Sequence, residues 1–395
     1  MRVLVFEHCL KVTGHRLPYA AEVAKALAET GCEVVLGLPS SVQSFPEASN
    51  YLNSTLNVNF YDVVSEQGSF RQALEAHRCL VQLVKDVEPD YVAIPTADGL
   101  ALVAGMLHRF WPFFSGLKAA RIDICLMRGR KLYERRSVKQ LVANLKWWFI
   151  RQGPWQRILL IDPREWSTVK NANAKGVFLC PDPVPAQKFF QRDEARKTLG
   201  LPVDGRLLVS VGAQNIRKGS DYLLEGFSVA NLNPNDRLLM FGGISPEIGI
   251  LIDACRRRSG MEGRIIVRDE FVSEDEFQMA IVAGDAVAVP YRSVNRPSGI
   301  VCRSMAWQRP LVMTERGWLK WVLEKFQAGF GGHPEDSTQF SKTIEQALDY
   351  SQDFESSEKA AKFVAYNTLA NYKKVWKNGL DAETENPLGL GDFLQ

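Results

Sequence analysis

The chain has 395 residues, with 48 Lys and Arg against 45 Asp and Glu, 46% hydrophobic and 24% charged residues. That length and balance suit two ordinary domains and exclude a disordered tail or a collagen-like fibre. A formal net charge of +3 gives the chain as a whole no reason to track nucleic acid, since a phosphate-following protein carries a basic excess.

Met1–Phe6 is a short apolar run ending at Glu7-His8, too brief for a secretory signal, and no later stretch approaches the roughly 18 apolar residues of a spanning helix. Residues 2–6 read as a buried strand, 17–29 as an amphipathic helix stopped by Gly31, and 33–38 as the next strand. Strand, crossover helix and strand in that order build a parallel sheet, because parallel neighbours need a long connection. A helix over about 72–87, a strand at 91–94 and apolar runs at 121–126 and 157–161 continue the pattern.

Pro181, Pro183 and Pro185 extend neither a ladder nor a helix, which makes 181–185 the natural interdomain linker. The winding then restarts: strand 207–211, helix 221–230, strand 237–241, helix 246–258, and strands 264–267 and 286–290. The expected organisation is a first α/β domain over 1–181, a second over 182–354, a crossover helix over 355–380 that packs back on the first, and a frayed acidic tail over 381–395. Two doubly wound Rossmann-like domains of this kind face each other across a cleft, with ligands outside the carboxyl ends of the strands.

Two stretches carry chemistry. In the first, the strand 207–211 ends at Gly212, and Arg217-Lys218-Gly219 precedes a helix. Two cations, a flexible backbone and a helix start suit a diphosphate, although the same tripeptide also suits a solvated turn. In the second, a strand runs into Pro290-Tyr291, followed by Asn295-Arg-Pro-Ser298-Gly299-Ile300 and a helix through Arg303. Its first amides suit an anion, and a loop capped by Ser298 is the plainer reading.

With the run 192–202, the spacing from Gly212 to Lys218-Gly219, and Met305-Ala306 before Pro310, these stretches resemble the second half of the retaining, nucleotide-sugar-dependent glycosyltransferases of family 4. Those enzymes have the GT-B fold. In the first half, Gly14-His15 with Tyr19, and Gly31-Cys32-Glu33-Val34, resemble the family's glycine-rich loop, first helix and second strand. The resemblance implies that Lys218 contacts the donor diphosphate, that the turn at Ser298, Gly299 and Ile300 approaches its phosphates, and that the base lies by Phe271 and Val272. It implies that Gly14 approaches donor and acceptor, and that Gly212, Arg217 and Tyr291 complete the donor side.

The chain departs from the family at three places. Asn295 and Arg303 stand where members commonly carry glutamates, and Ala213 stands at the arginine after the first glycine, with Arg217 able to reach the same phosphates. The family's second glutamate accepts hydrogen bonds from ribose hydroxyls; a guanidinium has only donors and favours a phosphate or carboxylate instead. The expected activity is transfer with retention from a nucleoside diphosphate sugar to a glycan or lipid-linked acceptor. The alternative is a catalytically silent protein of this fold that binds a glycan or a partner.

In the first domain, His15 and Asp98 are the candidate catalytic groups. His15 follows the first strand where it would open into the cleft, and would hydrogen-bond a sugar or act as a base, or else is a polar residue at a helix start with no substrate role; Asp98 follows the strand 91–94, where it would take a proton from an acceptor hydroxyl or else start the next helix. No histidine or carboxylate spacing suggests a metal, so no metal and no permanently bound cofactor is expected. The seven cysteines, Cys9, Cys32, Cys79, Cys125, Cys180, Cys255 and Cys302, are scattered singly, which suits a reducing cytoplasmic compartment.

The near-neutral total conceals an asymmetry. Residues 118–157 hold eleven Lys or Arg and two acids, a net of +9 against the chain's +3, so the remaining residues together carry −6. Trp147, Trp148 and Trp155 lie among these cations. Such a mixture suits the anionic surface of a membrane's inner face; the other reading is interior tryptophans beneath a solvated basic face. Nucleic acid is not expected, for want of any binding module.

Overall fold

The computed structural model describes residues 1–8, 10, 16–52, 56–63, 69–111, 117, 120–127, 138–170, 176–185, 188, 190–292, 295–381 and 388. They form two units. The first comprises Met1–Pro181 together with Ala370–Leu390, the second Asp182–Leu369. The tail expected to fray over 381–395 lies outside the described residues apart from Asp381 and Leu388.

The first unit alternates strands and helices: β1 (Arg2–Phe6), α1 (Arg16–Ala28), β2 (Glu33–Pro39), β3 (Asn57–Tyr61), α2 (Phe70–Val87), β4 (Tyr91–Ile94), α3 (Asp98–Phe110), β5 (Arg121–Leu126), α4 (Val138–Ile150), β6 (Arg157–Leu160), α5 (Pro163–Lys170) and β7 (Val177–Leu179). The strands make one sheet in the order β3-β2-β1-β4-β5-β6-β7, and every pair is parallel. Helices cover both faces of such a sheet, so β1 and β4 bury nearly every side chain and read as unbroken apolar runs. Local chemistry fixes the helix ends: Ser69 Oγ accepts from the Gln72 amide at 2.9 Å, and α2 stops where Glu88 turns left-handed at φ 47°.

The second unit repeats the design with α6 (Arg192–Thr198), β8 (Leu207–Val211), α7 (Ser220–Val229), β9 (Arg237–Phe241), α8 (Pro246–Arg256), β10 (Ile265–Arg268), α9 (Glu274–Ala283), β11 (Ala286–Val289), α10 (Gly299–Ala306), β12 (Leu311–Thr314), α11 (Gly317–Phe326), β13 (Gly329–Gly332), α12 (Ser337–Asp349) and α13 (Glu358–Tyr366); α14 (Leu369–Lys377) follows and belongs, from Ala370 on, to the first unit. Its sheet runs β10-β9-β8-β11-β12-β13, again all parallel. Leu208, Leu238, Met240, Phe227 and Phe340 belong to its core. In both sheets the winding reverses between the first and fourth strands, and that reversal opens a crevice at the strands' carboxyl ends.

The single helix expected over 355–380 is two helices, α13 and α14. The chain breaks at Asn367-Thr368 because it pairs there with the proline-rich segment: the Val184 amide donates to the Asn367 carbonyl at 2.7 Å, and the Leu369 amide to the Val184 carbonyl at 3.2 Å. The buried Asn367 side chain accepts from the Asp182 amide at 2.8 Å and donates to the Phe363 carbonyl at 2.9 Å. Asn367→Ala removes both side-chain bonds and is expected to cost about 1–3 kcal/mol, seen as a lower urea midpoint. An unchanged midpoint would show that the pairing contributes nothing.

Beyond the break, α14 completes the first unit. Tyr372, Val375 and Trp376 are buried, Lys373 pairs with Glu22 at 2.8 Å and Lys377 with Glu29 at 2.9 Å. The Val375 carbonyl accepts from Arg157 Nη2 at 3.0 Å. Arg157, counted from sequence with the basic surface, is in fact 1% exposed. It stands opposite Asp123 in the β5–β6 register, and its Nε donates to Asp123 Oδ2 at 2.7 Å.

Candidate functional site

In the second unit the crevice is framed by the ends of β8 and β11. Gly212 closes β8 at φ 89°, a conformation glycine adopts without strain. The buried Gln214 then staples the turn: its Nε2 donates to the Ser210 carbonyl at 3.1 Å and the Gly212 carbonyl at 2.8 Å, while its Oε1 accepts from Ser210 Oγ and Ser220 Oγ, each at 3.0 Å. Asn215 Oδ1 accepts from the Lys218 amide at 3.0 Å and starts a single tight turn over Ile216–Lys218. Gly219, left-handed at φ 71°, passes the chain into α7.

The loop after β11 closes on this turn. The Arg292 amide donates to the Arg217 carbonyl at 3.2 Å, and its guanidinium pairs with Asp221 while lying 3.8 Å over the Tyr222 ring. Lys218 Nζ sits 5.6 Å from the centroid of the Tyr291 ring and 3.0 Å from where a Cβ on Gly212 would lie. Gly212, Lys218 and Tyr291 are therefore brought together. Among the described residues no carboxylate pairs with Lys218 or with the exposed Arg217, whereas Arg268, Arg292 and Arg303 each have one.

The remaining second-domain candidates share the same edge of the sheet, since all six strands point one way. Ser298 precedes α10 without a side-chain capping bond, Gly299 begins the helix, and Ile300 is buried. Phe271, 57% exposed, and the half-buried Val272 follow β10. Asn295 is exposed. Arg303 has found its carboxylate within the chain: Nε and Nη2 donate to Glu274 Oε1 and Oε2 at 3.2 and 3.1 Å, and the guanidinium lies 5.1 Å from the Phe277 ring centroid. In this two-pronged pair the arginine's charge is met by a carboxylate of its own unit.

In the first unit, Asp98 is half-buried in the first turn of α3, at the carboxyl end of β4. Gly14 and His15 lie outside the described residues. The crevice there holds a cluster that the sequence reading passed over. The Glu7 carboxylate is buried, accepts from the His8 amide at 2.8 Å and from the Thr96 hydroxyl, and lies 3.9 Å from Arg16 Nε. His8 is 2% exposed, and burial together with the Arg16 charge holds its imidazole well below the ordinary value, so it is neutral at pH 7. Two polar residues directly after a buried strand, at the point where winding reverses, are the signal that marks them in sequence. Among the described residues no group of three or more His, Cys, Asp or Glu is placed to hold a metal.

No family model matches the chain. It is similar to a D-inositol 3-phosphate glycosyltransferase of Xylanimonas cellulosilytica, 31% identical over 144 residues, which are 36% of this chain and 33% of that protein. The chain thus matches about a third of that relative's length. Solved structures resemble it throughout. The HepE protein of Anabaena in complex with UDP is 14% identical with a TM-score of 0.67, over 97% of this chain and 100% of that one. Sucrose-phosphate synthase from Thermosynechococcus elongatus is 14% identical with a TM-score of 0.67, over 97% and 96%. The catalytic domain of starch synthase IV from Arabidopsis thaliana, bound to ADP and acarbose, is 14% identical with a TM-score of 0.62, over 96% and 99%. Two parallel, doubly wound Rossmann-like units, with a C-terminal helix returned to the first, make this chain an α/β protein of the GT-B fold.

Proposed function

We propose that the protein is a retaining glycosyltransferase of the family 4 type, carrying a sugar from a nucleoside diphosphate donor to a glycan or lipid-linked acceptor. The observation that supports this most is the unpaired charge of Arg217 and Lys218 where β8 and β11 part, beside Tyr291 and the start of α10. A diphosphate leaving group gathers negative charge as the glycosidic bond breaks. Two cations and helix amides fixed beforehand stabilise that charge without reorganisation, and most of the remaining catalysis is positioning. The HepE and starch synthase structures contain UDP and ADP, a chemistry that fits these groups. On the acceptor side, Asp98 and His15 are the groups assigned to receive the hydroxyl proton.

The place of work belongs to the same reading: the cytoplasm, with 118–157 toward an anionic membrane surface. No helix among the described residues is long and apolar enough to cross a membrane, and the six described cysteines are free.

Lys218→Ala is expected to weaken UDP or ADP binding by about 1.5–3 kcal/mol, an order of magnitude or more in Kd by titration calorimetry. Undiminished affinity in that variant would remove the reading. The occupation of Arg303 by Glu274 favours a second possibility, a silent protein of this fold. Turnover of any nucleotide sugar from a panel, lost in Lys218→Ala, decides for the enzyme.

A further inference from the structure

Helix α4 is apolar on two sides. Ala143, Trp147 and Ile150 face inward, and at Gly105 the backbones of α3 and α4 approach so closely that a Cβ would lie 2.1 Å from the Phe149 carbonyl oxygen. The outward side carries a second stripe: Val138 is 75% exposed, Leu141 68%, Val142 45%, Leu145 55% and Trp148 45%. The steps of three, four, seven and ten residues from Val138 keep all five on one helical face. The apolar surface continues onto the end of α3, where Phe110 and Trp111 are more than half exposed and Phe110 meets Phe149 at 5.9 Å.

Positive charge surrounds this face. Lys139 and Lys146 lie on α4, which has no acid, and Arg109 and Arg151 follow at the ends of α3 and α4. From Gly99 to Ile161 the sequence has twelve Lys or Arg and two acids, and one of each, Arg157 and Asp123, is spent on a buried pair. At the stripe's carboxyl end a hollow of about 390 Å³ is lined by Asn144, Trp147, Trp148, Arg151 and Gln152. One guanidinium and two amides against indole walls suit a lipid phosphate.

We infer that α4 lies in the plane of an anionic bilayer, its outward stripe sunk among the acyl chains and its cations at headgroup level. This rests on the membrane-facing reading of 118–157 and replaces surface contact by cations and tryptophans with insertion of a defined apolar face. A second copy of the chain is the poorer occupant, because its own cations would be brought against these.

The test is sedimentation of the full chain with vesicles of phosphatidylcholine and phosphatidylserine, beside phosphatidylcholine alone and at 0.5 M salt. The expected result is preference for the anionic vesicles, a bound fraction that survives salt, and at least tenfold weaker partition of a variant carrying Leu141→Ser and Leu145→Ser. Both positions are exposed, and an unchanged melting temperature confirms that the variant folds. No binding by the unaltered chain overturns the membrane reading itself. Equal binding by the double variant, or binding abolished by salt, leaves membrane attraction standing and overturns insertion. A dimer in the absence of vesicles that the same variant dissolves assigns the face to a second copy and also overturns the inference.

Discussion

Asp123→Ala is expected to lower unfolding stability by about 3–5 kcal/mol, the largest loss among the single substitutions considered. Asp123 Oδ2 accepts from Tyr91 Oη at 2.6 Å and Arg157 Nε at 2.7 Å, and lies 2.6 Å from the Arg157 Nη2 with which it forms an ion pair. Burial, aided by the Asp123 charge, pushes the Tyr91 phenol well above its ordinary value, so it remains a neutral donor at every working pH. Removing the carboxylate leaves a guanidinium that is 1% exposed without a negative partner, with neutral groups such as the Val375 carbonyl and the Phe178 ring against it. Urea unfolding followed by circular dichroism measures the loss. A double variant, Asp123→Leu with Arg157→Met, removes both charges and is expected to be more stable than the single one, because the larger penalty belongs to the isolated buried charge. A single variant within 1 kcal/mol of the unaltered protein would contradict this account.

Gly219→Ala is expected to cost about 2–4 kcal/mol and to weaken nucleoside diphosphate binding at least tenfold. The residue is left-handed at φ 71°, a region that costs other residues about 1–2 kcal/mol, and its added methyl would stand 1.9 Å from the Pro290 carbonyl oxygen. To admit it, the turn carrying Arg217 and Lys218 must withdraw from the end of β11, and Lys218 from Tyr291. Gly243 is the control: nothing lies within 4 Å of its corresponding position, so Gly243→Ala is expected to be tolerated. Calorimetric affinity and melting temperature together separate the two effects. A Gly219→Ala protein with undisturbed stability and binding would show that the two strand ends need not touch.

The parts of this fold legible in the sequence are those that bury both sides of a strand. Leu207–Val211, apolar but for Ser210, and Tyr91–Ile94 announce themselves as buried runs closed by glycine or proline. The edge strand β3, Asn57–Tyr61, buries only Tyr61 and offers no such run, and β13 is Gly-Phe-Gly-Gly, a composition that reads as a turn. What held β13 as a strand is the approach of Gly329 to Leu311, a contact between segments 18 residues apart. The break between α13 and α14 was hidden for the same reason, since its cause is the pairing of Val184 with Thr368.

Residues of the candidate site divide likewise. Gly212, Lys218 and Tyr291 were legible because they follow the two strands between which the winding reverses. The partner of Arg303 was not, because Glu274 reaches it from another helix 29 positions away. Arg157 was miscounted as surface charge because only the β5–β6 register reveals Asp123 opposite it.

The return of α14 to the first unit also bears on the order in which the protein can finish folding. Among the described residues the second unit is one continuous stretch, Asp182–Leu369, and has all its strands once that stretch has been synthesised. The first unit, begun earlier, lacks the Val375 carbonyl beneath Arg157, the buried Tyr372 and Trp376, and the segment at Gly379 packed on Tyr91 and Asp123 until residues 372–379 emerge. With roughly 190 residues made in between, at about 5–20 residues per second, its sheet waits about 10–40 s for its final layer. The half of the chain that leaves the ribosome first is the half completed last.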